Sequence, residues 1–126
     1  MLQYASKPLV DMGIFIDLED DSRFYKTLVG VYLRQSPALI REMKIAAAIG
    51  DMSKVKSLSA CLEATSANVG AVSIEFVSHK LGNIDSRFRP VDIKAIIVHL
   101  EKQFIETKFE LEKAINGEEM PLAQVG

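Results

Sequence analysis

From Pro90 onward, residues suited to burial recur at alternating steps of three and four, and this spacing constrains the fold more than any other feature. The positions are Ile93, Ile97, Leu100, Phe104, Thr107 and Leu111, followed by Ala114 or Ile115. At 3.6 residues per turn they fall on one side of a helix. Pro90 suits the first turn because its φ is fixed, and Asp92 is favoured near the positive end of the helix dipole. The pattern predicts a long helix up to Asn116-Gly117.

A second long helix is predicted from the N-cap candidates Asp20-Asp21-Ser22 to Gly50. Pro37 lies within it and lacks an N–H, so we expect a bend there or a break into two collinear pieces. The residues expected to face inward are Phe24, Leu28, Tyr32, Leu39, Met43 and Ala46 or Ala47.

Two shorter helices follow. Gly50 and Asp51 have the chemistry of a helix stop and a new N-cap, so a helix is expected from Met52 to about Ala67. Its predicted inward row is Val55, Leu58, Leu62, Thr65 and Val69. The next helix is predicted from about Ala71 to Gly82, with Val72, Ile74, Val77, Ser78 and Leu81 available for burial.

Four amphipathic helices joined by short connections predict an all-α fold, because each helix can bury its apolar side only against its neighbours. The expected architecture is an antiparallel up-and-down four-helix bundle. The segment from Val10 to Leu18 is interpreted as a short N-terminal packing helix or turn. We expect one domain over residues 1–117 and a flexible tail from Glu118 to Gly126.

Composition narrows the classes of function. With 126 residues and 48% hydrophobic content, the chain can bury one core. Its formal net charge of -2 gives no electrostatic reason to expect nucleic acid or an anionic membrane as partner. The single cysteine, Cys61, excludes an internal disulfide, and no zinc-like cluster suggests a metal or other cofactor. No export signal or run of about 18 apolar residues is present, so a cytoplasmic location is expected.

The stretch from Ser57 to Ala71 reads Ser-Leu-Ser-Ala-Cys-Leu-Glu-Ala-Thr-Ser-Ala-Asn-Val-Gly-Ala. It resembles the active helix of histidine-containing phosphotransfer (HPt) domains, which carry a pattern such as Ala-His-x-Leu-Lys-Gly-Ser-x-Ala-Asn-Leu-Gly-Ala. The segments Leu9-Val10-Asp11, Tyr32 to Ile40 and Ile49-Gly50-Asp51 are also similar to parts of that family. HPt domains are four-helix bundles, so the resemblance implies the same fold as the helical pattern.

In this alignment Ala60 stands at the phosphorylated histidine, Glu63 at a lysine that offsets phosphate charge, and Ala64 at a glycine that leaves room for the partner. A methyl group has no nucleophilic lone pair, so Ala60 cannot accept a phosphoryl group. The resemblance therefore implies a pseudo-HPt protein that is not an enzyme. It would dock on a response-regulator receiver domain or a histidine kinase and modulate a phosphorelay. The expected docking face is made of Lys56, Ser57, Ala60, Glu63, Ala64 and Ala67.

Other side chains leave two alternatives open. His79, in Ser78-His79-Lys80-Leu81-Gly82, is interpreted as a surface histidine but could be the acceptor of an active phosphotransfer protein. Alternatively, the bundle is an interaction or oligomerisation module unrelated to phosphorelay. Cys61 is expected to be a half-buried packing residue, and His99 a residue at the rim of the last helix.

Overall fold

A computed structural model describes residues 19–116, with side chains from Ser22 onward. The described part contains four helices and no strand: α1 (Glu19–Ala48), α2 (Met52–Val69), α3 (Val72–Gly82) and α4 (Pro90–Ile115). Helix α1 packs against α2 and α4, and α3 packs against the same two helices. The predicted all-helical bundle is thus confirmed. The expected N-terminal helix or turn and the expected tail lie outside the described residues.

Helix α1 is one continuous helix, so the expected break at Pro37 does not occur. It already includes residues 20–22, which therefore form its first turn instead of preceding it. Its buried row runs through Tyr25, Val29, Tyr32, Ser36, Ile40 and Met43. Phe24 is exposed, so its predicted inward position is wrong, and Leu28 and Leu39 are only half-buried.

Two tyrosines on the inner face of α1 are buried with their hydroxyl groups hydrogen-bonded. The Tyr25 hydroxyl donates to the carbonyl oxygen of Val69 at 3.0 Å. The Tyr32 hydroxyl lies 2.7 Å from the Ser66 hydroxyl of α2, a distance typical of an O–H···O hydrogen bond. The predicted positions of Tyr32, Met43, Ala46 and Ala47 are confirmed, whereas Tyr25 is buried in place of Phe24 because its hydroxyl group has a partner.

Burial also changes the titration of these tyrosines, since it raises the pKa of both Tyr25 and Tyr32 to about 12. The unfolded chain ionises near pH 10, whereas the folded chain keeps both phenols neutral. Their contribution to stability is therefore complete below pH 10 and is lost as the pH rises towards 12. We expect the free energy of unfolding, measured by urea denaturation, to fall across this range. The decline should be shallower in Tyr32→Phe, and an equal decline in that variant would contradict the assignment.

Helix α2 begins at Met52 as predicted and ends at Val69, two residues beyond the predicted end near Ala67. Asp51 caps it by accepting a hydrogen bond from the backbone N–H of Lys54 at 3.1 Å. Gly50 and Gly70 take φ values of 80° and 76°, which strain any residue with a Cβ. Of its five predicted inward residues, Val55, Leu62 and Val69 are buried, whereas Leu58 and Thr65 are only half-buried.

Two serines take those inward positions. Ser59 and Ser66 are completely buried beside Val55, Leu62 and Val69. The Ser59 hydroxyl donates to the sulfur of Met43 at 3.4 Å, while Ser66 pairs with Tyr32. Small hydroxyl side chains therefore lie at the α1–α2 contact, and the larger Leu58 is half-buried against the core.

Helices α3 and α4 bury the residues that their spacing predicts, except that Ala114 and Ile115 at the end of α4 are half-buried. In α3 these are Val72, Ile74, Val77, Ser78 and Leu81. In α4 they are Ile93, Ile97, Leu100, Phe104, Thr107 and Leu111. Helix α4 begins at Pro90 as expected, and Asp92 accepts a hydrogen bond from the backbone N–H of Arg89 at 3.0 Å.

Thr107 carries a buried hydroxyl group that has no hydrogen-bond partner within the described part of the chain. An unpaired buried hydroxyl is unfavourable because it has lost its water contacts. Thr107→Val should therefore raise the free energy of unfolding by about 1 kcal/mol. Thr65→Val is the matched control. The Thr65 hydroxyl donates to the carbonyl oxygen of Cys61 at 3.2 Å, so its removal should not raise the free energy of unfolding. Denaturant titration that found Thr107→Val less stable than the wild type would contradict this assignment.

Candidate functional site

The candidate site lies on the outer side of α2. We call the six predicted docking residues the α2 face: Lys56, Ser57, Ala60, Glu63, Ala64 and Ala67. All are exposed except Glu63, which is half-buried. The face follows from the helical phase, because burial of Ser59, Leu62 and Ser66 turns the residues between them outward. Three methyl side chains make its centre nearly flat.

The α2 face is joined to α3 by a carboxylate–imidazole contact. One carboxylate oxygen of Glu63, Oε2, lies 2.9 Å from Nδ1 of His79. The Glu63 side chain is 33% exposed and that of His79 is 65% exposed. Sequence reasoning treated these two residues separately, whereas the structure places them side by side.

Helical spacing within one segment does not predict this contact, because it depends on how two helices pack against each other. Helices α2 and α3 are separated only by Gly70 and Ala71. Glu63 lies eight residues before Ala71 and His79 lies eight residues after it. In two antiparallel helices joined by a short turn, residues at equal distances from the turn lie at similar heights. The equal separations of Glu63 and His79 from Ala71 therefore indicate that the two residues can be neighbours.

Hydrogen bonding determines which nitrogen of His79 carries the proton. An ionised carboxylate can only accept, so Nδ1–H of the imidazole donates to Glu63. In neutral His79 the lone pair then belongs to Nε2, which lies 3.4 Å from the side-chain nitrogen of Asn83. The side-chain nitrogen of Asn83 also donates a hydrogen bond to the backbone oxygen of His79 at 2.7 Å. Glu63 and Asn83 therefore orient the ring from both sides.

A second carboxylate lies near this pair. The pKa of Glu75 is raised, mainly by burial and further by the negative charge of Glu63, while His79 acts in the opposite direction. Protonation of Glu75 is thus easier than for a free glutamate. Two carboxylates, Glu63 and Glu75, therefore lie between α2 and α3 with the imidazole of His79 near them.

Cys61 differs from its predicted environment. It is exposed, not half-buried, because Leu62 and Ser59 occupy the inward directions on either side of it. It borders a groove of about 270 Å³ between α1 and α2, together with Leu28 and Thr65. His99 is exposed on α4.

The described residues include no group of three or more His, Cys, Asp or Glu side chains that could hold a metal ion. Within the same part of the chain, no helix has the length and apolar character needed to cross a membrane. Comparison with known protein families, with curated proteins and with solved structures finds no match to this chain. Fold and site together define a helical-bundle protein with an exposed small-residue face on α2, bordered by a carboxylate–imidazole pair.

Proposed function

We propose that this chain is a pseudo-HPt protein, an antiparallel bundle that docks on a receiver domain or a histidine kinase without carrying phosphate. The observation that supports this proposal most strongly is the exposure of Ala60 in the middle of the α2 face. The resemblance assigns that position to the phosphorylated histidine. An exposed methyl group retains a surface for contact and lacks the nucleophile.

The shape of the α2 face supports docking. Ala60, Ala64 and Ala67 present little more than methyl groups, so the backbone of α2 can come close to a partner. Lys56 supplies a positive charge at one end of the face, and the carboxylate of Glu63 is hydrogen-bonded to His79 of α3. Such a small surface suits a transient complex with an area at the low end of specific interfaces.

The protein modulates phosphoryl transfer by occupying the binding surface of its partner. While the α2 face covers the acidic pocket of a receiver, no active HPt domain can reach the same aspartate. The strength of inhibition therefore follows the occupancy of the complex and its affinity. No bond is formed or broken on this chain.

Isothermal titration calorimetry with the full chain tests the proposal. The ligands are the receiver domains and histidine kinases encoded in the same genome, each purified and titrated separately. At least one should bind with saturable heat and one-to-one stoichiometry. Absence of binding to every one of them would refute the proposed function.

A second candidate is an active phosphotransfer protein that uses His79. The specific observation in its favour is the Glu63 contact, which places the lone pair of an exposed imidazole on Nε2, where the only contact in the described part of the chain is the long one of 3.4 Å to Asn83. That lone pair would attack the phosphorus of an aspartyl phosphate, and the bond from phosphorus to the carboxylate oxygen would break. Incubation with a phosphorylated receiver distinguishes the two candidates. An acid-labile, base-stable label that is lost in His79→Ala would establish the second and overturn the first.

A further inference from the structure

The contact between Glu63 and His79 changes its charge near neutral pH. Histidine is the only side chain whose unperturbed titration lies between about pH 5 and 8, and a free glutamate is already ionised in that range. At the lower end Nδ1 of a protonated ring donates to the carboxylate as an ion pair. At the upper end the neutral ring makes an ordinary hydrogen bond over the same 2.9 Å. The geometry of the contact can therefore persist while its charge changes.

Two further charged side chains lie on α3 near this contact. Glu75 is one turn before His79, and its carboxyl pKa is raised, first by burial and then by the charge of Glu63, while the imidazole lowers it. Lys80 follows His79, but its ammonium nitrogen lies over the ring of Phe76, 5.7 Å from the ring centroid. A protonated His79 is thus placed near two carboxylates, while the neighbouring ammonium group contacts an aromatic ring.

The other elements beside α3 place their charges elsewhere. Helix α4 meets α3 at the hydrogen bond from the Ser73 hydroxyl to Gln103, and Ser73 is about 120° from His79 around the axis of α3. In the loop that joins α3 to α4, Asp85 is paired with Arg87 at 2.6 Å. Among the residues that the structure describes, His79 has no ion-pair partner other than Glu63. Its ionisation therefore acts mainly on the α2 face.

We propose that the Glu63–His79 pair is a proton-operated switch of docking through the α2 face, an inference that rests on the proposed function. Glu63 is the only acidic residue of the α2 face. While the ring of His79 is neutral, this carboxylate keeps its full negative charge at the edge of the face. Protonation of the ring offsets that charge at hydrogen-bond distance. Because the aspartate pocket of a receiver is acidic, docking strengthens as the pH falls from about 8 to about 6.

Exposure to water limits the size of the effect. Glu63 is half-buried and His79 is exposed, so solvent weakens the interaction between their charges. Charges farther apart than about 8 Å are largely screened at physiological salt. We therefore expect the dissociation constant of the complex to fall about 3- to 5-fold between about pH 8 and about pH 6, and this change to diminish at about 1 M salt.

Urea denaturation of the free full chain tests the pair itself. A double-mutant cycle compares the wild type with Glu63→Gln, His79→Gln and the double variant at about pH 6 and about pH 8. An imidazole that gains a carboxylate partner on folding stabilises the fold most when it is protonated, and this contribution is lost as the pH rises. The coupling should therefore change the unfolding constant about 2- to 5-fold at the lower pH and less at the higher one. Equal coupling at both pH values would overturn the proposal.

His99→Gln is the matched control, because His99 is the other histidine of the chain and is exposed on α4. In a cycle with Glu63→Gln it should show no coupling at either pH. Coupling of the same size with His99 would mean that the pH dependence arises from the overall charge of the protein, and it would overturn the assignment to His79.

Calorimetric titration at the same two pH values tests docking. The ligand is the receiver domain that binds the wild type. Titration of the receiver itself is common to all variants, so the change of about 3- to 5-fold should be absent in His79→Gln and present in His99→Gln. An unchanged pH dependence in His79→Gln would overturn the proposal. If no receiver binds, the proposed function fails, and the cycle in the free chain alone decides whether the pair responds to pH.

Discussion

Replacing Ala60 with arginine is expected to weaken binding of the proposed partner, a receiver domain or histidine kinase, at least about 100-fold. The small residues of the α2 face let a partner approach the helix backbone. An arginine at its centre would place a long charged side chain where the complex has room for a methyl group. The residue is exposed, so the free protein should fold normally. Calorimetric titration measures the affinity, and circular dichroism reports the fold.

The matched control is Ala95→Arg, which adds the same side chain at an exposed alanine of α4. Helix α4 contacts α1 and α3, so this position is distant from the α2 face. The control should bind the partner as the wild type does. Equal loss of affinity in both variants, or no loss in Ala60→Arg, would show that the partner does not use the α2 face.

Leu62→Ala is expected to lower the free energy of unfolding by about 2–5 kcal/mol. Leu62 is completely buried in α2 and belongs to the common core of the bundle. Truncation removes buried apolar surface and leaves a cavity that the surrounding helices can fill only in part. Because small domains are stable by only about 5–15 kcal/mol, this loss is a large share of the total. Urea denaturation monitored by circular dichroism measures it.

Leu58→Ala provides the comparison. The sequence pattern places Leu58 and Leu62 in the same inward row, whereas the structure leaves Leu58 half-buried. The loss from Leu58→Ala should therefore be clearly smaller than that from Leu62→Ala. Equal losses would support the predicted row and contradict the observed orientation of α2.

The contrast between α4 and α2 shows what the sequence can and cannot predict. In α4 every inward position except Thr107 is a large apolar residue, so spacing alone locates the buried row. In α2 the inward positions include Ser59 and Ser66, whose burial depends on partners in α1. A pattern of apolar residues cannot show that a distant tyrosine or methionine will satisfy a serine. The prediction for α2 was therefore out of phase at two positions.

The candidate site also contains one part that the sequence predicts and one part that it does not. The six residues of the α2 face could be chosen from helical phase and from the resemblance. The contact between Glu63 and His79 joins two helices and depends on how they pack against each other. The exposure of Cys61 depends on the exact rotation of α2, because one step of about 100° separates it from the buried Leu62. Local spacing determines such a position only approximately.

A nuclear magnetic resonance titration tests the central claim most directly. The ¹⁵N-labelled full chain is titrated with the receiver domain or kinase that binds in calorimetry, and backbone amide shifts are followed residue by residue. The account predicts that the largest changes cluster around Ala60 and Ala64 and extend to His79, while α4 is unaffected. Changes that concentrate on α4, with the amides around Ala60 unmoved, would contradict it.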